Sequence, residues 1–518
     1  PEGTVGLIAV DLDNDGLLDL LGFGSDLAVW QGQPGGAFAE ATEAFGLGAA
    51  TGSAAVALDF DIEGDLDLVV AGGDAQSRLY RNALTGALEE VGARSLPVLP
   101  DAVVHDVVAS DLDRDGDLDL LLAHAEGLAW LDNLRQGEFV DRSADLGPAG
   151  ATRAGAIASA DLDNDGLPDL ITAGEGSALG HYLGGRVAEW DLVPALRTPA
   201  RFDDIEPFDA DHDGRFDRAN GGSAGLAVAA QRAGGFACRP VQAAAGAATT
   251  VVSSDLDGDG DLDLLAGGPG GLVQLDNDGG NENNWLSLRL RGLTKGNSKN
   301  NVLGFGSSVE VRHGRAYQFR EALGDVVHVG LGSVSAAAVV RVVWTNGVPQ
   351  NRLDLATNQT IVEEQLLKGS CPFVYAWNGE RIEFVSDLLW GAPMGLPLAP
   401  GVWTSADPSE LVHLPRARPA GGRYDLRITE ELWEAAFFDK VRLWIADYPA
   451  DLEVASNLRV VPNQQLPERV LATRHLRPLA AAWDARGREV GTVVAERDEI
   501  YADGWTASPY QGVADSLW

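Results

Sequence analysis

Along the first 283 residues, short apolar runs come in pairs, and each pair flanks an acidic loop. Val5–Val10, Leu118–Ala123, Gly155–Ala160 and Thr249–Ser254 are such runs. Their strand length, aliphatic make-up and glycine or polar borders predict β-strands. A third run follows in each unit, as in Leu27-Ala28-Val29-Trp30, Arg78-Leu79-Tyr80-Arg81, Leu128-Ala129-Trp130-Leu131 and Leu272-Val273-Gln274-Leu275. A turn then leads to a fourth, as at Gly35–Phe38 or Gly137–Val140. Four short strands per unit predict an all-β chain built on a β-propeller, one unit to a blade. A solenoid of strands is the rival, but its repeats are usually shorter.

The acidic loops repeat with a fixed spacing of carboxylates. Loop positions 1, 3, 5 and 9 are Asp11, Asp13, Asp15 and Asp19; Asp59, Asp61, Glu63 and Asp67; Asp111, Asp113, Asp115 and Asp119. The later copies are Asp161, Asp163, Asp165 and Asp169; Asp209, Asp211, Asp213 and Asp217; Asp255, Asp257, Asp259 and Asp263. Successive loops start 48, 52, 50, 48 and 46 residues apart, the signature of a repeat architecture. Glycine at position 6 permits a sharp turn, and the position-7 carbonyl can complete an oxygen shell. Gathering that much negative charge suits a hard, oxygen-seeking cation, and calcium fits best, about six ions in all. An EF-hand is excluded, because it needs a Glu at position 12 and flanking helices. Position 12 here is Gly22, Val70, Leu122, Thr172, Asn220 or Ala266. The bland alternative is a solvated acidic turn without metal, strongest at the second loop, with Glu63, and the fifth, where Arg215 adjoins the ligands.

Charge sharpens this picture. The net charge is -39, and residues 1–283 hold 50 acidic and 14 basic residues, against 27 and 24 in 284–518. The acidity belongs to the repeats, and it disfavours nucleic acid and anionic membrane surfaces as partners. No apolar run reaches the 18 or so residues of a membrane-spanning helix. Cys238 and Cys371 are the two cysteines, with no C-x-x-C pair, so a zinc or redox site is not expected. Their pairing with each other stays open. Pro1 stands directly before a strand, so a processed or trimmed chain is expected, and the absence of a leader carries no weight.

Val251-Val252-Ser253-Ser254-Asp255-Leu256-Asp257-Gly258-Asp259-Gly260-Asp261-Leu262-Asp263-Leu264 resembles the FG-GAP/VCBS repeats of integrin-α-like propellers. The resemblance covers about 1–283. It implies calcium in the loop between a blade's first two strands and commonly seven blades, whereas six loops are visible. Asn284–Leu290, a polar loop over Thr294–Asn301, Gly304–Val311, Val327–Gly332 and Val339–Gly347 then resemble an ASPIC/UnbV domain, which follows such repeats in cartilage-acidic-protein-like bacterial proteins. That implies a small β-sandwich-like module at 284–365. Residues 366–518 read as a further β-rich domain, expected to continue beyond Trp518. Phe373–Trp377 and Arg381–Val385 flank the hairpin signal Asn378-Gly379, and Tyr424–Ile428 and Lys440–Ile445 alternate like half-buried strands. Glu430–Phe437 reads as one or two helical turns.

No convincing catalytic set emerges. Gly221-Gly222-Ser223-Ala224-Gly225 matches G-x-S-x-G, but between β-strands rather than at a strand-to-helix elbow. His212, at position 4 of the fifth loop, reads as solvent-exposed, and His328, in a Val-rich strand, as packed. Nine of thirteen tryptophans lie from Trp344 onward, mostly core residues, with some able to stack on sugar rings. The loop with Lys295 and Lys299 reads as solvated. These readings point to an exported, calcium-stabilised binding or scaffold protein that contacts other extracellular proteins or glycans as part of a larger assembly. It would be secreted, on the cell surface or periplasmic. The alternative is a polysaccharide-acting enzyme or subunit with its site in the C-terminal region or propeller channel.

Overall fold

The computed structural model describes residues 3–495 except 48–49, 73–76, 98–102, 136, 175–178, 184–190, 194–201, 224, 233–234, 241–247, 294–299, 367–371, 389–396, 400, 404–409, 430–437, 457–469, 475–478, 484–486 and 493. The chain divides into two compact units, residues 1–293 with 298–365, and residues 294–297 with 366–518.

In the first unit, among the described residues, six small sheets follow one another, each built from consecutive antiparallel strands. The first is Thr4–Val10, Asp19–Gly24, Ala28–Gln33 and Ala37–Glu40. The second to fifth begin with Ala54–Leu58, Val104–Ser110, Ala154–Ala160 and Phe202–Phe208, and each has four strands. The sixth has three: Thr250–Ser254, Asp263–Gly268 and Gly271–Leu275. These are propeller blades, and the Asp loop of each joins its first two strands, as the spacing predicts.

The second strand of a blade shows why the runs are nearly all apolar. Asp67–Ala71 is buried throughout. Leu68 and Val70 pack toward the first blade, with Leu21, Val29 and Leu12. Val69 and Ala71 pack toward the third, with Val107, Leu120 and Leu122. A strand sandwiched between two neighbours needs both faces apolar, so its period-two pattern disappears. At the ends of the blade series the strands beside the second one are more open: Val5 and Leu7 on the first strand of the first blade, and Val252 and Leu272 on the first and third strands of the sixth, are at least half exposed.

The first strands carry a shared irregularity. The register slips by one residue at Val5, His105, Gly155 and Asp203, the same place in four blades. Such a bulge re-aims the next side chain. In two blades that side chain is an acid on the next blade: Asp106 Oδ2 accepts the Ile157 N–H at 2.9 Å, and Asp204 Oδ2 the Val251 N–H at 2.7 Å. Glu206 Oε1 accepts both the N–H and the hydroxyl of Ser253. These acids staple blades edge to edge, a role the sequence reading did not assign.

Residues 284–365 form two facing sheets. One has the order Val327–Gly332, Asn284–Arg291, Gln359–Glu364; the other contains Ala316–Glu321, Ser308–His313, Ala336–Val343 and Pro349–Ala356. Leu286, Leu288, Val309, Val311, Val329, Val340 and Trp344 fill the space between them. This is a sandwich, and it includes a strand, Ala316–Glu321, that the sequence reading passed over.

In the second unit, Phe373–Trp377 and Ile382–Asp387 form the hairpin expected around Asn378-Gly379, with Gly379 at φ 110 and Leu426–Thr429 paired on the other side. Lys440–Ile445 is not a strand, which corrects the expectation. Val441, Trp444 and Ile445 are exposed, because apolar residues fall on both sides of the segment and no strand pairs with it among the described residues. Glu430–Phe437, Trp505–Trp518, Lys295, Lys299 and Cys371 lie outside the described residues.

Candidate metal centres

Each loop is shaped by two backbone features. Position 4 is left-handed in all six loops, at Asn14, Ile62, Arg114, Asn164 and His212 with φ between 52 and 62, and at Gly258 with φ 81. Position 6 is glycine in all six, for example Gly16 at φ 89 and Gly260 at φ 97, where a side chain would be strained. The first aspartate then caps the turn. Asp11 accepts the N–H groups of Asp15 and Gly16 at 3.0 and 2.9 Å, and Asp59, Asp161 and Asp209 repeat that pattern.

The position-9 aspartate works differently. Asp119 is 1 % exposed; its Oδ2 accepts the Leu112 N–H at 3.2 Å and its Oδ1 the Asn133 N–H at 2.9 Å. Asp19, Asp67, Asp217 and Asp263 make the same pair of bonds, one to position 2 and one to the end of the third strand. This residue clamps the loop to its blade.

Within loops the carboxylates converge. Oxygens of Asp11, Asp13 and Asp15, of Asp111, Asp113 and Asp115, of Asp161, Asp163 and Asp169, and of Asp209, Asp211 and Asp217 lie within 4.8 Å of one another. That is the spread of ligands on a sphere of about 2.4 Å radius, the calcium–oxygen distance. Oδ1 of Asp13, Asp61, Asp65, Asp111 and Asp117 is buried with no hydrogen-bond partner. Buried oxygens facing one another without a donor fit a cation. Burial, aided by neighbouring carboxylates, pushes Asp11, Asp59 and Asp111 up to about 7, and Asp67 and Asp119 up to about 9, against backbone N–H bonds that pull the other way. Oxygens at hard-cation spacing fit calcium.

The loops differ from the simple ligand list in informative ways. In the second, the group within 4.8 Å is Asp59, Asp61, Asp65 and Asp67; Glu63 turns outward to pair with Arg81, which also holds Asp61 at 2.7 Å. Asp65 stands at position 7, where only a backbone carbonyl was expected. Asp117 and Asp261 hold the same position in the third and sixth loops, both buried. Arg135 donates to Asp117 Oδ2 at 2.6 Å and to the Asp115 carbonyl. Arg215 donates to Asp213 Oδ2 at 2.5 Å in the fifth loop. The sixth loop is the most open: Asp255, Asp257 and Asp259 are exposed, and of its acids Asp261 and Asp263 are buried. An acid, a glycine and an aspartate in a row, at 63–65, 115–117 and 259–261, contain the signal for these extra acids.

The sandwich lies over this same face. Glu321 Oε1 accepts the Asp111 N–H at 2.7 Å, and its Oε2 the Ser110 hydroxyl at 2.9 Å. Val302 N–H donates to Asn14 Oδ1 at 2.7 Å, Arg114 to Glu310 at 3.2 Å, and Gly332 N–H to the His212 carbonyl at 2.7 Å. His212 is therefore not solvent-exposed, which corrects the sequence reading. It is fully buried, its Nε2 lies 2.9 Å from that of His328, and Trp285 lies beside both rings. The αL backbone at position 4 explains this, because it turns that side chain out of the loop toward whatever covers it. His328 is packed, as expected.

Ser223 sits exposed at the turn between Asp217–Gly222 and Gly225–Arg232, a β-hairpin. No described helix is long and apolar enough to cross a membrane.

Residues 11–70, 59–122 and 111–172 match the FG-GAP-like repeat, and each match begins at the first aspartate of a loop. No curated protein matches the chain in sequence. Solved structures with some likeness include the BP39L lectin of Burkholderia pseudomallei, 14% identical over 68% of this chain and 99% of its own, with a TM-score of 0.41. An Agrocybe aegerita lectin that recognises non-reducing terminal N-acetylglucosamine is 19% identical over 54% of this chain and 78% of its own, at a TM-score of 0.39. Sqt1 of Saccharomyces cerevisiae is 13% identical over 68% and 84%, at 0.35. The fold rests on the strand topology above, and the chain carries FG-GAP-like repeats over residues 11–172.

Proposed function

We propose that the chain is an exported binding or scaffold protein whose propeller is held together by calcium, and that it joins proteins or glycans in an extracellular or cell-surface assembly. The observation that carries this reading is the set of converging carboxylates with buried oxygens that no donor meets, as at Oδ1 of Asp61 and Asp65. Ions there would neutralise loops that otherwise repel themselves, so the fold's stability would follow the ion. Loops of this kind suit compartments with calcium near millimolar, where weak modules suffice. The sandwich over 284–365 is read as an ASPIC/UnbV-like module that supports the propeller, and exposed tryptophans such as Trp444 and Trp483 offer faces to a partner.

Calcium titration of chelator-stripped protein, with heat and melting temperature followed together, tests the reading. Binding of about six ions with a large rise in melting temperature is expected. Absence of both heat and shift would leave the loops as acidic turns and overturn the proposal.

A further inference from the structure

The metal loops and the sandwich share one interface, and it is a polar one. Arg320 and Glu321, adjacent on the strand Ala316–Glu321, both reach the loops. Arg320 is 5 % exposed, with Asp161 and Asp209 the carboxylates acting on it, its Cζ 3.9 Å from the centroid of the Phe216 ring and its amine 3.5 Å from the Gly214 carbonyl. Glu321 closes on the third loop through the N–H of Asp111, itself a first-position carboxylate. Gly330 lies so close to Asp209 and His212 that no Cβ fits between.

A loop with three or four converging carboxylates and no cation has reason to open. Like charges held a few ångströms apart in a partly buried place repel one another, less whatever protonation relieves. Opening a loop moves the backbone groups that the sandwich binds, since Asp111 N–H, His212 C=O and Gly214 C=O all belong to the loops. The closed loop conformer is thus the one that gathers the ligands and also the one that seats the sandwich. Two partners that select the same conformer bind cooperatively, and the coupling is reciprocal.

Building on the calcium reading, we propose that the sandwich is the positioning element of the metal loops, with Arg320 and Glu321 as its positioning residues, and that ion binding and sandwich docking are one coupled equilibrium. The acids of the third, fourth and fifth loops owe their geometry to a second module, and stripping the metal loosens that module from the propeller.

Hydrogen exchange on the full chain, with calcium and with EGTA, tests this directly. Amides of 316–321 and 327–332 are expected to lose protection in EGTA along with the loops. If calcium binds and raises the melting temperature while these strands keep full protection in EGTA, the coupling is wrong and the calcium reading stands. If calcium does not bind at all, both fall. Glu321→Ala supplies a second readout: calcium affinity should fall about tenfold at the affected loops, within the usual range of coupling. Glu321→Gln, which keeps one acceptor, should recover part of it. A melting temperature lowered equally with and without calcium, with affinity unchanged, would make Glu321 a packing residue only and overturn its assignment.

Discussion

The first and fourth loops and the second and third loops solve the same electrostatic problem differently. The first and fourth carry Leu17 and Leu167 at position 7, and the carboxylates at positions 1, 3, 5 and 9 are their acids. The second and third add Asp65 and Asp117, buried at 5 % and 6 % exposure, and each receives an arginine from the end of its blade's third strand, Arg81 or Arg135. Acid and base come together, so the net charge of the ligand set stays the same while its oxygens increase. The added arginine can hold the carboxylates together when no ion does. The difference teaches that one repeat contains both loops that depend on a cation for their shape and loops with a cation of their own.

The largest expected effect lies in what the two kinds share. Asp119→Ala removes a clamp that five of the six loops share and strands the Asn133 N–H in a buried place, while the Leu112 N–H keeps the Ser110 carbonyl at 3.0 Å. One lost bond and one orphaned donor cost roughly 2–4 kcal/mol, and the loss should appear in urea unfolding with or without calcium. Loss confined to the calcium-loaded protein would mean that the residue acts as a ligand only, and the division of labour between positions 1 and 9 would collapse.

The comparison sharpens at acids that have neither a metal loop nor an arginine. Asp106 and Glu206 staple adjacent blades, and burial pushes both up to about 7. Unfolded, they titrate near 4. The folded state therefore binds more protons between about pH 4 and pH 7, so their contribution to stability falls as pH rises through that window and is level above it. With calcium held saturating, an Asp106→Asn, Glu206→Gln variant should gain on the wild type as pH goes from 5 to 8, by on the order of 2 kcal/mol for each acid. Denaturant midpoints at several pH values measure it. A constant difference would show that these acids are already ionised, like surface carboxylates.

Much of this was legible in the chain. The blades could be read because each loop forces a turn and each second strand, squeezed between neighbours, is apolar on both faces. The converging acids could be read because their spacing within the loop repeats six times. What could not be read depends on distance across the fold. Asp65 and Asp117 occupy the position assigned to a backbone carbonyl, and only their burial shows that the side chain turns inward. Arg81 and Arg135 lie about twenty residues from the acids they meet. His212 reads as exposed unless a second module is known to lie over it. Arg320 and Glu321 sit in a strand whose polar face looks solvated until the loops are placed beneath it. Lys440–Ile445 failed for the opposite reason: alternation predicts a strand only where a partner edge and a covering layer exist.

Arg135→Met is the smallest effect and the most direct test of the contrast. The guanidinium touches Asp117 and the Asp115 carbonyl but is 43% exposed, so solvent screens it, and its removal should cost on the order of 1 kcal/mol in EGTA. In saturating calcium the cost should shrink, because the ion then supplies the charge that Arg135 supplied. The calcium-induced rise in melting temperature should grow accordingly, while Gln31→Ala in the first loop, where a neutral amide meets Asp13, should leave that rise nearly unchanged. If Arg135→Met instead left the ion-free protein untouched and strengthened calcium binding alone, the arginine would be a competitor of the ion rather than its substitute. The second and third loops would then be the weaker sites of the six, not the more self-sufficient ones.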